Sequence, residues 1–273
     1  MKRILTAIVL IPILLYTVWN EIPYFFVGLT VLAIALGLHE FYSFASKLGL
    51  RVFGAGGYAA ALLVAAAFVR NESSWTVAAF GALAILSLGI SLSRPEDAPR
   101  ALASASATVF GVVYVALLAG FLIGVRMTPD TAATPKLAAK LLTTFFAMVM
   151  MTDTGAYYTG RTLGRHKLAP RVSPGKTIEG SVGGFLTAVL AGFVCRLVFF
   201  PQIPLIHVLV LGAAIGLISQ VGDLAESLLK RGSEVKDSGS IFPGHGGMLD
   251  RVDSILFCAP ILYYYSRLFI SSF

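Results

Sequence analysis

Apolar runs of membrane length recur along this chain, and they leave it few ways to fold. A run of about 17–25 residues crosses a hydrocarbon core when helical. In lipid every backbone N–H and C=O needs an internal partner, so only helices and closed barrels span it. The short alternating segments of a barrel are absent. The runs fall at about 4–19, 22–44, 53–69, 75–93, 101–125, 137–160, 181–200, 204–230 and 250–270. The chain therefore reads as an all-α, polytopic integral membrane protein with about nine transmembrane helices. Only 13% of its residues are charged, against about 25% in soluble domains. The longest polar gaps, about 18 residues, are too short to fold alone. One continuous membrane domain is expected, with scaffold helices over 1–135 and the chemistry-bearing helices and loops over 136–273.

Met1-Lys2-Arg3 and the apolar run after it look like a signal peptide, but Asn20-Glu21-Ile22-Pro23 offers no small-x-small cleavage site, so a retained first helix is expected. With the N-terminus cytoplasmic, fifteen Lys and Arg gather on the cytoplasmic side and six on the other. The positive-inside rule then sets the N-terminus in, the C-terminus out and segments 161–180 and 231–249 on the cytoplasmic face. The same rule accounts for the net charge of +7 without a nucleic-acid partner. Cys195 and Cys258 fall inside apolar runs and read as small buried hydrophobes. Glu40, the one deep acidic residue of the first half, reads as a carboxylate snorkelling to the interface.

The second half carries the chemistry. Six of the fourteen carboxylates lie between Asp223 and Asp253, beside four cations, one histidine and five glycines. Such a stretch between apolar runs is costly unless it reacts or faces water. Asp223, Glu226, Ser227 and Lys230, spaced i, i+3, i+4, i+7, form one helical stripe about 10 Å long. Asp250, Asp253 and Ser254 repeat the i, i+3, i+4 spacing at the start of the last run. The Gly-rich segment between them can fold back and present N–H groups to an anion. Upstream, Asp153 lies near the cytoplasmic end of the sixth run. The loop after it holds Ser173, Lys176, Thr177 and Glu179, suited to phosphate oxygens. Its Gly175-Lys176-Thr177 is no P-loop: the first glycine of G-x-x-x-x-G-K-S/T would fall at Pro170, and no flanking strand is expected. Gly180-x-x-x-Gly184 and Gly212-x-x-x-Gly216 predict close helix packing that brings Asp223 toward its partners.

Carboxylates held together in a low dielectric need a counter-charge. All-oxygen ligation and phosphate chemistry favour Mg²⁺, and one histidine without a nearby cysteine argues against zinc. Carboxylates for metal, with Lys and Arg for phosphate, suit phosphoryl or nucleotidyl transfer. The plain alternative is a set of interfacial charge pairs, such as Asp223 with Lys230.

The run Ser227-x-Leu229-Lys230-Arg231-x4-Lys236-Asp237-x-Gly239-x2-Phe242-Pro243-x-His245-Gly246-Gly247-Met248-x-Asp250-Arg251-Val252-Asp253 resembles the signature of the phosphatidate cytidylyltransferase (CDP-diacylglycerol synthase) family. Asp153-Thr154-Gly155-Ala156-Tyr157 and Ser173-Pro174-Gly175-Lys176-Thr177-Ile178-Glu179-Gly180 also resemble family segments. Gly175 stands where many members have lysine, and Ile178 where tryptophan is common. The resemblance covers about 150–260, and the first half only by hydrophobicity. It implies transfer of CMP from CTP to phosphatidic acid, giving CDP-diacylglycerol and pyrophosphate. It also implies a homodimer in the inner (plasma) membrane, with a metal centre near the cytoplasmic surface. By motif position Asp223 and Asp250 lead the metal ligands, with Asp153 beside them. The family pattern suggests Mg²⁺ and, as a second ion, a monovalent cation such as K⁺.

The expected reaction is an in-line displacement by the phosphatidate phosphate. Lys176, Lys230, Arg231 and Lys236 hold phosphate oxygens, and Ser173, Thr177, Glu179 and Ser227 complete the binding set. Asp237, with Asp250, is expected to be essential for turnover. Arg251 either forks onto phosphate or pairs with Asp253. His245 either donates to the leaving pyrophosphate or shapes the loop. Two other readings stay open: a secondary transporter with ion-carrying acids, and a CTP-dependent lipid kinase, which would release CDP.

Overall fold

The structure is a computed structural model and describes residues 2–93, 97–233, 239 and 246–270. Each expected apolar run is helical among them: α1 (Lys2–Trp19), α2 (Tyr24–Lys47), α3 (Gly54–Arg70), α4 (Ser73–Leu92), α5 (Ala98–Gly111), α6 (Leu118–Arg126), α7 (Leu137–Leu163), α8 (Ile178–Val198), α9 (Leu205–Gly232) and α10 (Leu249–Tyr265). A π-helical stretch, Val112–Leu117, joins α5 to α6 in one span-length helix, and another, Ser266–Ile270, continues α10. Among the described residues, six helices are long and apolar enough to cross a membrane: α2, α4, the joined α5–α6, α7, α8 and α9. The apolar segments Ile8–Trp19 and Gly54–Arg70 are shorter.

Local chemistry sets the helix ends. Asn71 adopts the left-handed conformation (φ 55°) that closes α3, one of the few non-glycine types that tolerate it. Pro99 stands in the first turn of α5, where its missing N–H costs nothing. Thr177 caps α8 through a bond from the Gly180 N–H.

Among the described residues, the exception to the all-helical expectation is a hairpin of β1 (Lys167–Ala169) and β2 (Ser173–Thr177), paired Lys167 with Thr177 and Ala169 with Ser173. The expectation of no strand here is corrected. Pro170 sits at the second position of a turn closed by Val172 N–H on the Ala169 carbonyl (3.2 Å), where its fixed φ is favoured. Ile178 N–H bonds the His166 carbonyl at 2.9 Å and carries the pairing to the start of α8.

The chain divides into two compact units. The first comprises residues 1–13, 22–127 and 229–250. Its core is aromatic, with Phe41 packed against Phe110 and Tyr114 and Phe68 edge-on to Phe121. Buried hydroxyls stitch it: Tyr42 donates to the Thr108 carbonyl, and Thr108 Oγ1 accepts the Phe53 N–H. The second comprises residues 14–21, 128–228 and 251–273. There α7 and α8 lie side by side along most of their length, and Trp19 Nε1 donates to Thr143 Oγ1 at 2.9 Å.

Candidate active site

Glycines set the helix spacing in the second unit. A Cβ on Gly184 would fall 2.7 Å from the Thr152 carbonyl oxygen, and one on Gly180 2.8 Å from that of Ala156. On α9, a Cβ at Gly212 would lie 2.9 Å from Val189 Cα, and one at Gly216 3.1 Å from Phe185 Cα. Both expected small-residue faces therefore seat backbone against backbone, α8 on α7 and α9 on α8, as small-xxx-small packing allows. A third close approach follows no fixed spacing. Gly222 presses on α10, where a Cβ would lie 2.8 Å from the Asp253 carbonyl oxygen.

These approaches bring together Asp153 from α7, Lys176 from β2, Asp223 from α9 and Asp253 from α10. Lys176 Nζ lies 2.5 Å from Asp223 Oδ2. The three carboxylates are close enough to act on one another through their charges, and Asp153 also lies within reach of Lys176 and Arg251. Asp153, Lys176 and Asp223 line a cleft of ≈ 460 Å³, with Ser173 and Thr177 on its wall. That volume is in the range of small-ligand sites. Arg161, which donates to the Tyr157 hydroxyl at 3.1 Å, and Gln220 also line it. Sequence reasoning named neither for the site. Arg161 is only a helix-end cation by sequence, while Gln220, three residues before Asp223, is a polar side chain inside an apolar run and was the available signal.

Thr177 and Glu179 have scaffolding partners here. Besides capping α8, Thr177 is 8% exposed. The Glu179 carboxylate accepts the Arg165 and His166 N–H groups and has His166 Nδ1 2.6 Å from Oε1, which ties the hairpin base to α8. Thr177→Ala is expected to lower stability by about 0.5–2 kcal/mol through loss of the cap, read as an earlier thermal transition in detergent.

The first unit holds a second cluster. Lys230 Nζ lies 2.6 Å from Asp250 Oδ1, and Asp250 Oδ2 accepts the Gly247 N–H at 2.8 Å. The structure thus pairs Lys230 with Asp250 and Lys176 with Asp223, not Asp223 with Lys230 as the plain alternative had it. Ser227 is half-buried on α9, while Arg231 and Arg251 are exposed. Lys236, Asp237 and His245 lie outside the described residues. Glu40 is a correction. It is 3% exposed and does not snorkel; its carboxylate accepts the Met248 N–H at 2.8 Å and the Leu249 N–H at 2.9 Å. Its partners lie about two hundred residues away, so no local sequence signal marks it.

Among the described residues, no three His, Cys, Asp or Glu side chains gather to hold a metal ion between them. Magnesium seldom takes such a cage. It binds through one or two carboxylates together with water and substrate phosphates. The donor set in the cleft is carboxylate oxygen, with Lys176 as resident counter-charge, and that chemistry fits a hard divalent cation.

A sequence model of the cytidylyltransferase family matches residues 1–269. The phosphatidate cytidylyltransferase of Brucella suis biovar 1 is 34% identical over 274 residues, 98% of this chain and 93% of that protein. The enzyme of that name from Bacillus subtilis is 48% identical over 127 residues, 46% of this chain and 47% of the relative. The one from Staphylococcus saprophyticus is 47% identical over 117 residues, 43% and 45%. Against these last two the matched part spans about half the relative's length. With a match along nearly its whole length, the chain belongs to the cytidylyltransferase family.

Proposed function

We propose that this chain is a phosphatidate cytidylyltransferase that moves CMP from CTP to phosphatidic acid. The observation that carries this reading is the cleft in which Lys176 stands on Asp223 beside Asp153. A phosphate oxygen of phosphatidic acid attacks the α-phosphorus of CTP. The bond from that phosphorus to the bridging oxygen of the β-phosphate breaks, and pyrophosphate leaves with the bonding pair. The attacking phosphate is already ionised near neutral pH, so no strong general base is needed.

The chain's contribution is positioning and charge. Lys176 is poised to exchange Asp223 for a phosphate oxygen, so its charge is compensated before and after substrate arrives. Arg161, on the cleft lining, offers a planar fork. In the first unit, Lys230 holds Asp250, with Arg231 next to it in the chain. Mg²⁺, which Asp223 and Asp153 would hold, would supply charge neutralisation for the substrate phosphates; Asp250 is a proposed metal ligand by motif position alone. Lys236, Asp237, His245, Asp253 and Arg251 complete the proposed set, and a monovalent ion such as K⁺ is a proposed second cofactor. The enzyme works as a homodimer in the inner membrane with its site facing the cytoplasm. The excess of Lys and Arg on that side supports the orientation.

The test is CTP labelled separately at the α- and γ-phosphates, incubated with phosphatidic acid in detergent, with and without Mg²⁺. The α-label should move to the lipid and the γ-label leave as pyrophosphate, only with the metal. Release of CDP with the γ-label on lipid would make the protein a kinase. No lipid labelling, with solute flux in proteoliposomes, would make it a transporter.

A further inference from the structure

We propose that Glu40 is a positioning residue for the transfer reaction. From α2 it fixes the start of α10 and thereby aims Asp250. The first N–H groups of a helix lack intrahelical partners. At α10, Glu40 supplies them, Oε1 taking the Met248 N–H and Oε2 the Leu249 N–H. Each bond is charge-assisted, and the carboxylate sits at the positive end of the helix dipole. The next residue is Asp250, whose side chain is held by Lys230 and by the Gly247 N–H. The backbone is thus pinned by Glu40 and the side chain by Lys230.

The same carboxylate meets the chain a second time. A Cβ on Gly239 would lie 2.6 Å from Glu40 Oε1, so the backbone there runs directly against it. One buried side chain therefore lies against both Gly239 and the Met248–Leu249 amides, two points of the Gly-rich segment. One turn earlier on α2, a Cβ on Gly37 would lie 3.2 Å from Leu249 Cδ2, so the helices approach closely at this level. Burying a carboxylate is unfavourable unless both oxygens are bonded. A position needed only for packing would be served by an apolar side chain.

The activity arm of the test rests on the cytidylyltransferase reading; the exchange arm does not. Full-length wild type, Glu40→Gln and Gly239→Ala are compared in detergent. Gln keeps the size of Glu but turns an NH2 group onto one of the two amides. Ala at 239 pushes a methyl against Oε1 and leaves Glu40 in place. In both, kcat should fall by roughly 10- to 100-fold, the usual loss when a group orienting a ligand is removed, with KM for phosphatidic acid unchanged. Amide exchange should speed up at 246–250 and stay at the wild-type rate in α2 and α5. If folded Glu40→Gln turns over within about threefold of wild type, the proposal is overturned. Exchange accelerated evenly through the first unit would likewise reduce Glu40 to a packing role. If Glu40→Gln does not fold, the same two readouts on Gly239→Ala decide. A wild type that makes no CDP-lipid would sink the activity reading and leave the exchange result to decide whether Glu40 holds this segment.

Discussion

Replacing Asp223 by Asn should all but eliminate CDP-lipid formation in a protein that still folds. The change is isosteric and removes one charge. That charge is the partner of Lys176 at 2.5 Å, and it acts on Asp153 and Asp253. Without it Lys176 is no longer held at the cleft, and a proposed ligand for the divalent cation is lost. One preorganised charge in an active site is worth roughly 10²- to 10³-fold in rate, and here two functions go together. Stability should change little, because the lost ion pair is offset by relief of repulsion among three carboxylates. Saturation curves in Mg²⁺ and CTP separate the two functions: Asp223→Asn should need more metal, whereas Lys176→Met should need more CTP and less metal. The double variant should lose less than the product of the singles, as expected for contacting groups. A folded Asp223→Asn enzyme working within about threefold of wild type would remove Asp223 from the site.

The helical plan was legible because lipid leaves an apolar run one inexpensive backbone. Boundary errors are small, as where α7 runs to Leu163 rather than about 160, but among the described residues six helices, not nine, are long and apolar enough to cross a membrane. The apolar runs also placed Asp153 and Asp223 on helices, and the small-residue spacing predicted close packing by α8 and α9, though not which helices they approach. What failed was information held between distant segments. Pro170 served only to reject a P-loop, yet it turns the hairpin that presents Lys176. The plain alternative pairs Lys230 with Asp223 because they share a helix, while the structure pairs it with Asp250, twenty residues on. Glu40 looked interfacial because its acceptors' partners are backbone amides far along the chain. Gly222 fits no four-residue repeat, so nothing in the sequence distinguished it from a helix defect.

That glycine carries the second large expected effect. At Gly222 a Cβ would lie 2.8 Å from the Asp253 carbonyl oxygen, 3.0 Å from Phe257 Cβ and 3.1 Å from Ser254 Cα. Two of these are backbone atoms and the other a Cβ, so no rotamer change makes room. Gly222→Ala must push α9 and α10 apart by some tenths of an ångström, and Gly222→Val further. Overpacking of this kind costs about 1–3 kcal/mol, which should appear as an earlier thermal transition in detergent. Activity should suffer more than stability. Asp223 is the next residue on α9, and Asp253 is the residue whose carbonyl is struck, so the gap opens between two proposed site carboxylates. A displacement near 1 Å can cost on the order of 10²-fold in rate; Gly222→Val should approach that and Gly222→Ala fall short of it, measured per folded molecule. Gly89→Ala in α4, where a Cβ meets nothing within 4 Å, controls for helix propensity. It should keep wild-type activity and gain up to about 1 kcal/mol. Equal behaviour of the Gly222 and Gly89 variants would mean that the α9–α10 contact does not set the carboxylate spacing.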